Sequence, residues 1–220
     1  MEISQLISLM VTGTIESLYM TLISTALSYL FGIPIGVVLF ITDKGGIAEN
    51  KRVNSMLGVV VNLLRSVPFI ILLVAIIPFT RLVVGTSIGA NATIVPLVVA
   101  ATPFIARMVE SSLKEVDGGV IEAALSMGSN NWQIITKVLL PEAKPSLIVG
   151  STIAITTILG YSAMAGFVGG GGLGSIGINY GYYKYQTDIM LITVVLLVIV
   201  VQIFQETGMR IANKTDKRRR

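Results

Sequence analysis

The chain offers few side chains of the types that do chemistry. Among its 220 residues there is no histidine and no cysteine, which excludes disulfide frameworks, thiolate or imidazole metal sites, and Ser-His-Asp or Cys-His nucleophiles. Gly169, Gly171 and Gly174 satisfy the spacing G-x-G-x-x-G, whose chemistry would be to hold a pyrophosphate at a helix N-terminus. That use requires a strand before the glycines. Here an apolar helical run precedes them, so the nucleotide reading fails. No G-x-x-x-x-G-K-S/T loop occurs, and ATP would have to bind on another chain. No catalytic residue and no metal site is predicted.

Arg65 is the one charge inside a strongly apolar stretch, and an intramembrane charge is costly enough to mark a functional position by default. It could compensate a substrate carboxylate. It could equally bond carbonyls near Pro68, whose missing N–H releases the acceptor of Leu64.

The elements that must position these residues follow from composition. The chain is 53% hydrophobic and 13% charged, with a mean hydropathy of +0.82, against roughly 25% charged in ordinary globular proteins. A spanning helix needs about 20 largely apolar residues, and five stretches qualify: 17–41, 55–79, 87–105, 147–167 and 189–205. The predicted fold class is all-α, a polytopic membrane protein with five transmembrane helices. The first stretch is not a secretory signal, because no Lys or Arg precedes it and its apolar run exceeds the roughly 7–15 residues of a signal core.

Positive residues near helix ends are retained in the cytoplasm. Lys44, Lys51 and Arg52, then Arg107, Lys114, Lys137 and Lys144, then Arg210, Lys214, Lys217, Arg218, Arg219 and Arg220 fall in alternate connections, against Arg81 and Lys184 in the others. The N-terminus is therefore expected outside, with 1–16 as an extracytoplasmic tail, and the C-terminus inside, with 209–220 as a basic cytoplasmic tail. In a soluble domain the pI of 9.4 would raise nucleic-acid binding; here the basic residues are topological anchors, and the terminal run meets anionic membrane lipid.

The connection at 106–146, about 40 residues, is too long for a plain linker. Asp117 can N-cap a short helix in which Val120, Ile121, Ala124, Leu125 and Gly128 recur on one side, with Gly128 as the left-handed residue that ends it. Asn130 and Gln133 have capping-box spacing for a second helix carrying Trp132, Ile134, Ile135 and Val138. Pro141 and Pro145 are expected to end that helix. The exposed apolar faces either lie on the membrane or on their own bundle, or dock in a groove of a soluble partner.

Glu122-Ala123-Ala124, Gly128 and Val138-Leu139-Leu140-Pro141 resemble the EAA loop of ABC importer permeases, the binding-protein-dependent transport permeases with the type I importer fold. The resemblance extends over 13–208. It is closest to the methionine importer permeases through 65–73, 77–89, 103–110, 160–164, 169–174 and 179–182. Carried over by position, Glu122, Ala123, Ala124 and Gly128 are the coupling residues. The resemblance implies a multi-pass subunit of the bacterial cytoplasmic (inner) membrane that is not itself an enzyme. It further implies a homodimer, two ATP-binding subunits that carry ATP and Mg, no cofactor on this chain, and an extracytoplasmic methionine-binding protein. The substrate it implies is methionine, L- and also D-. Composition alone indicates no substrate, so another amino acid or a small peptide, a stand-alone secondary transporter and a membrane scaffold stay open.

The fourth stretch is rich in Gly, Ser, Thr and Ala and is expected to be central, the fifth peripheral. Its outer end, with Tyr161, Ser162 and Met164, is a candidate gate near the dimer axis, Met164 sealing a narrow pathway with a flexible apolar side chain; ordinary packing is the alternative. The glycine run 169–174 is expected as a bent or re-entrant external loop that contacts the binding protein, with Tyr180, Tyr182, Tyr183 and Tyr185 as an interfacial belt.

Overall fold

A computed structural model describes residues 2–215. The basic residues Lys217, Arg218, Arg219 and Arg220 lie outside the described residues. Among those described there is no strand. The helices are α1 (Ile3–Ile41), α2 (Lys51–Ser66), α3 (Phe69–Ala75), α4 (Ile77–Val84), α5 (Ala90–Lys114) and α6 (Gly118–Ser126). They continue with α7 (Asn131–Gln133), a π-helical segment Ile134–Leu139, α8 (Leu140–Glu142) and α9 (Lys144–Met164). A 3₁₀ turn Ala165–Val168, α10 (Gly172–Ile176), a second π-helical segment Gly177–Tyr182 and α11 (Thr187–Thr215) complete the chain.

Four helical stretches are long and apolar enough to cross a membrane: α1, α5, Lys144–Tyr182 and α11. The bent pair α2 and α3 raises the number to five. All-helical spans are the solution hydrocarbon imposes, since a helix satisfies its backbone polar groups internally.

The elements depart from the expected boundaries where side chains compensate a polar or glycine-containing sequence. α1 begins at Ile3 and not near Ser17, so 1–16 is largely helix. Gly13 faces Ile176, and Thr14 returns its hydroxyl proton to the Met10 carbonyl at 2.8 Å. The stretch 55–79 is not one straight helix. It breaks at Val67 and Pro68, because proline disfavours helical backbone in the preceding residue and itself opens α3 with extended geometry, ψ 135°. α5 runs past its expected end at 105 to Lys114. Pro141 and Pro145 do not end the helical path. Both sit in first turns, where an N–H is dispensable, and only Ala143 interrupts the run, its N–H reaching the Leu139 carbonyl at 2.9 Å.

The chain divides into two units by internal packing. The first comprises 1–28, 67–101 and 154–206, the second 29–66, 102–153 and 207 onward. Every described Lys and Arg belongs to the second unit except Arg81 and Lys184, the same pair that the connection count sets apart.

In the first unit Met10, Leu173, Ile176 and Ile189 form a buried apolar cluster. The glycine run is bent, as expected, and is drawn into this packing. Gly172, Leu173 and Gly174 are buried, the Glu16 carboxylate accepts the Gly172 N–H at 2.7 Å, and the Ser17 hydroxyl accepts that of Leu173 at 2.9 Å. Of the four tyrosines, Tyr182, Tyr183 and Tyr185 are exposed, whereas Tyr180 packs against this cluster.

In the second unit α1 and α5 pack at close range. A Cβ on Gly36 would stand 2.5 Å from the Ala106 carbonyl oxygen and 2.7 Å from the Val109 Cβ. Within a single chain α5 is the most enclosed span, with 50% of its apolar window buried against 33% for the stretch from Lys144 and 11% for α11.

Gly36→Val should cost about 1–3 kcal/mol through this overpacking and lower the melting temperature of the detergent-solubilised protein. Gly118→Ala, where a Cβ meets nothing within 4 Å, should leave it unchanged.

Candidate coupling surface and translocation residues

The connection after α5 folds as the local sequence dictates. Asp117 has extended backbone and its carboxylate accepts the Gly119 N–H at 2.7 Å, which starts α6. At the other end Gly128 takes φ +79°, a left-handed conformation that costs a side-chain-bearing residue roughly 1–2 kcal/mol. Its N–H reaches the Leu125 carbonyl at 2.9 Å and the Ser129 N–H reaches that of Ala124 at 3.1 Å, so the freed helix-end carbonyls are satisfied. Asn130 and Gln133 then form a reciprocal capping box. Two capped helix ends with a left-handed residue between them make a stiff projecting corner.

The corner exposes what a groove could receive. Met127 is 79% exposed and Trp132 72% exposed, and Val120 and Leu125 are also exposed, while Ala124, Ile134 and Leu139 are buried. The expected apolar side of α6 is therefore divided. Ala124 faces inward, Glu122 and Ala123 face outward, and the Glu122 side chain makes no ion pair among the described residues. The π-helical segment adds a residue per turn after Gln133, which carries Ile134 and Leu139 inward and leaves Trp132 in the open.

A second cluster was not found by sequence reasoning, which treated its cations only as topological charges. Glu110 is 6% exposed. Its Oε2 accepts from Arg107 at 2.6 Å and its Oε1 from Lys114 at 2.8 Å. Arg107 also donates to the Gly58 carbonyl at 3.2 Å and to the Asn62 side-chain oxygen at 3.0 Å on α2. Lys114 reaches Asp43 at 3.0 Å. The Lys114 hydrogen bond, with the Lys44 backbone N–H second, holds the Asp43 carboxyl below its ordinary value, so Asp43 is ionised across the physiological range. The available signal was the i, i+3 and i, i+4 placement of cations about Glu110. The partners off the helix carry no such signal.

The gate candidates divide between the two units. Tyr161 stacks on Phe69 with ring centroids 4.5 Å apart and planes 4° apart. Ser162 is buried and donates to the Leu159 carbonyl of its own helix at 2.8 Å. Met164, the last residue of α9, is 47% exposed, beside an exposed Phe167. These three share the end of one helix in the first unit, whereas Arg65 belongs to the second. Arg65 is exposed in the last turn of α2 and forms no hydrogen bond or ion pair among the described residues; the bond to carbonyls near Pro68 is not made.

Residues 28–210 match the family described as the binding-protein-dependent transport system inner membrane component. A probable D-methionine transport system permease protein, MetI, of Vibrio cholerae serotype O1 is 52% identical over 96% of this chain and 93% of its own length. Its counterpart in Pasteurella multocida is 49% identical over 94% of this chain and 95% of its own. Among solved structures, a chain of the MetNI methionine ABC transporter in inward-facing conformations superposes with a TM-score of 0.96 and 49% identity, over 99% of this chain and 100% of that one. On the all-helical fold, the projecting corner and these matches, this chain belongs to the inner membrane components of binding-protein-dependent transport systems.

Proposed function

We propose that the chain is the membrane-spanning permease subunit of an ATP-driven importer that carries methionine, D-methionine included. The observation that carries this reading is the capped, outward-projecting corner at 117–133, in a chain about half identical over nearly its full length to relatives named for D-methionine transport. The corner is stiff and presents Met127 and Trp132, which suits insertion into a cleft of a separate ATPase subunit. In this reading Glu122, Ala123 and Gly128 lie on the coupling surface, the buried Ala124 packs beneath it, and ATP with Mg is held on the partner.

Two permease copies, two ATPase subunits and an extracytoplasmic methionine-binding protein complete the assembly. The N-terminus lies outside and the C-terminus inside, as the placement of Lys and Arg in alternate connections supports. Closure of the ATPase pulls on the corner and rocks the spans between inward- and outward-open states. Met164, half exposed at the end of α9, seals the pathway, and Tyr161 holds that end of the helix by its stacking on Phe69.

In proteoliposomes, uptake of labelled methionine should require both ATP and the ATPase chain and should be abolished by excess unlabelled L- or D-methionine. Uptake without the ATPase would instead make the chain a secondary transporter. Uptake indifferent to unlabelled methionine would remove the substrate assignment while sparing the importer.

Gly128→Val should strain the corner by roughly 1–2 kcal/mol and reduce ATP-dependent uptake about tenfold, with less ATPase recovered on co-purification. Equal recovery and equal uptake would show that the corner is not the coupling surface. Met164→Cys should cross-link between permease copies in the nucleotide-free state and lose the cross-link when ATP is trapped. A cysteine there that never cross-links would assign Met164 to packing.

A further inference from the structure

We infer that Glu110 is a positioning residue that ties the end of α5 to α2 and to the turn between α1 and α2 in one block beside the coupling corner; the inference rests on the importer reading above. Ion pairs within one helix would only staple α5 to itself. Here both cations on Glu110 have second partners elsewhere. Arg107 extends to Gly58 and Asn62 on α2, and Lys114 extends to Asp43 just beyond α1.

The turn that Asp43 opens is itself tightly closed. Gly46 N–H donates to the Asp43 carbonyl at 2.9 Å, Ala48 N–H to that of Ile41 at 3.0 Å, and Asn50 N–H to that of Thr42 at 3.0 Å. The Asn54 side chain donates to the Leu39 carbonyl at 2.7 Å. From this turn the Ile47 carbonyl accepts the Asn131 side-chain amide at 3.5 Å, and Asn131 opens α7, the second helix of the corner. A continuous path therefore runs from α7 through the 43–50 turn and Asp43 to Lys114, Glu110, Arg107 and α2.

Glu110 is the one buried member of the charge chain, and both its oxygens are occupied. A buried carboxylate between two cations is stable only while both are in place. It therefore resists independent sliding of the elements that those cations hold. When the ATPase moves the corner, α5, α2 and the turn move with it, and hydrolysis is converted into motion of the spans.

The test uses the permease assembled with its ATPase and reads three quantities: ATPase rate, uptake per ATP, and amide hydrogen exchange over 43–50. Glu110→Gln keeps the side-chain shape and removes the charge. It should leave the ATPase rate within about twofold, lower uptake per ATP by about tenfold, and raise exchange at Ala48 and Asn50 by about tenfold. Asp43→Asn, on the exposed end of the chain, should act in the same direction by about threefold without moving the melting temperature, and Asp43→Glu should restore coupling. This arm stands even where Glu110→Gln fails to fold.

Combining Glu110→Gln with Asp43→Asn should be no worse than Glu110→Gln alone, because both cut one path. Unchanged exchange over 43–50 in Asp43→Asn, or ATPase rate and uptake falling in parallel with the melting temperature in both variants, would overturn the inference. Exchange is read on the complex whatever it transports, so an error in the substrate assignment leaves this arm intact.

Discussion

Backbone amides inside hydrocarbon have no water to bond, so every departure from regular helix must be closed by the protein itself. The structure depends on this constraint at each of its irregularities. After Pro68 the first turn of α3 closes on the proline itself, the N–H groups of Ile71 and Leu72 reaching its carbonyl at 3.0 Å. In the glycine run, the amides of Gly172 and Leu173 are taken by Glu16 and Ser17 of α1, and the Gly170 carbonyl receives the Thr93 hydroxyl at 3.0 Å. The run is thus a solved backbone problem, with side chains of other helices supplying partners that a loop in water would find for itself.

Side-chain polarity follows the same rule only in part. Thr25, Thr42, Thr152 and Thr193 each donate a hydroxyl to the carbonyl four residues earlier, whereas the buried hydroxyls of Thr21, Ser24 and Ser28 on α1 have no partner among the described residues. Charges cannot be absorbed in that way. Lysines and arginines gather in one of the two units, and the buried Glu110 there is paired with Arg107 and Lys114. Arg65 is tolerated without an ion pair because it is exposed at a helix end, where a long side chain can carry its charge away from the apolar surroundings.

The features legible from sequence are those whose causes lie within a few residues. Asp117, Gly128 and the Asn130–Gln133 box act on neighbouring amides, and each forms as its spacing indicates. The number of spans was legible for the same reason, since hydropathy is summed over consecutive residues. The start of α1 was not, because its polar segment is compensated from the distant Gly172–Ile176 helix. The buried state of the glycine run depends on the same contacts and was hidden with them. The α2 break was half legible: Pro68 was noticed for its missing N–H, but its effect on Val67 decides the geometry. The role of Glu110 lay deeper still, because Asp43, Gly58 and Asn62 are joined to it only by folding.

The same distinction bears on how rigid each region needs to be. The 117–133 corner is held by caps at both helix ends and a left-handed residue between them. Its stiffness costs little, since each bond is local and forms with the helix. Met164 ends α9 with an unbranched side chain that is half exposed and carries no hydrogen bond that motion would break, while a 3₁₀ turn follows it instead of a continuing α-helix. Tyr161, one turn earlier, is fixed by its stack on Phe69. The end of α9 therefore combines an anchored ring with a half-exposed, unbranched thioether that can change rotamer without disturbing the packing behind it.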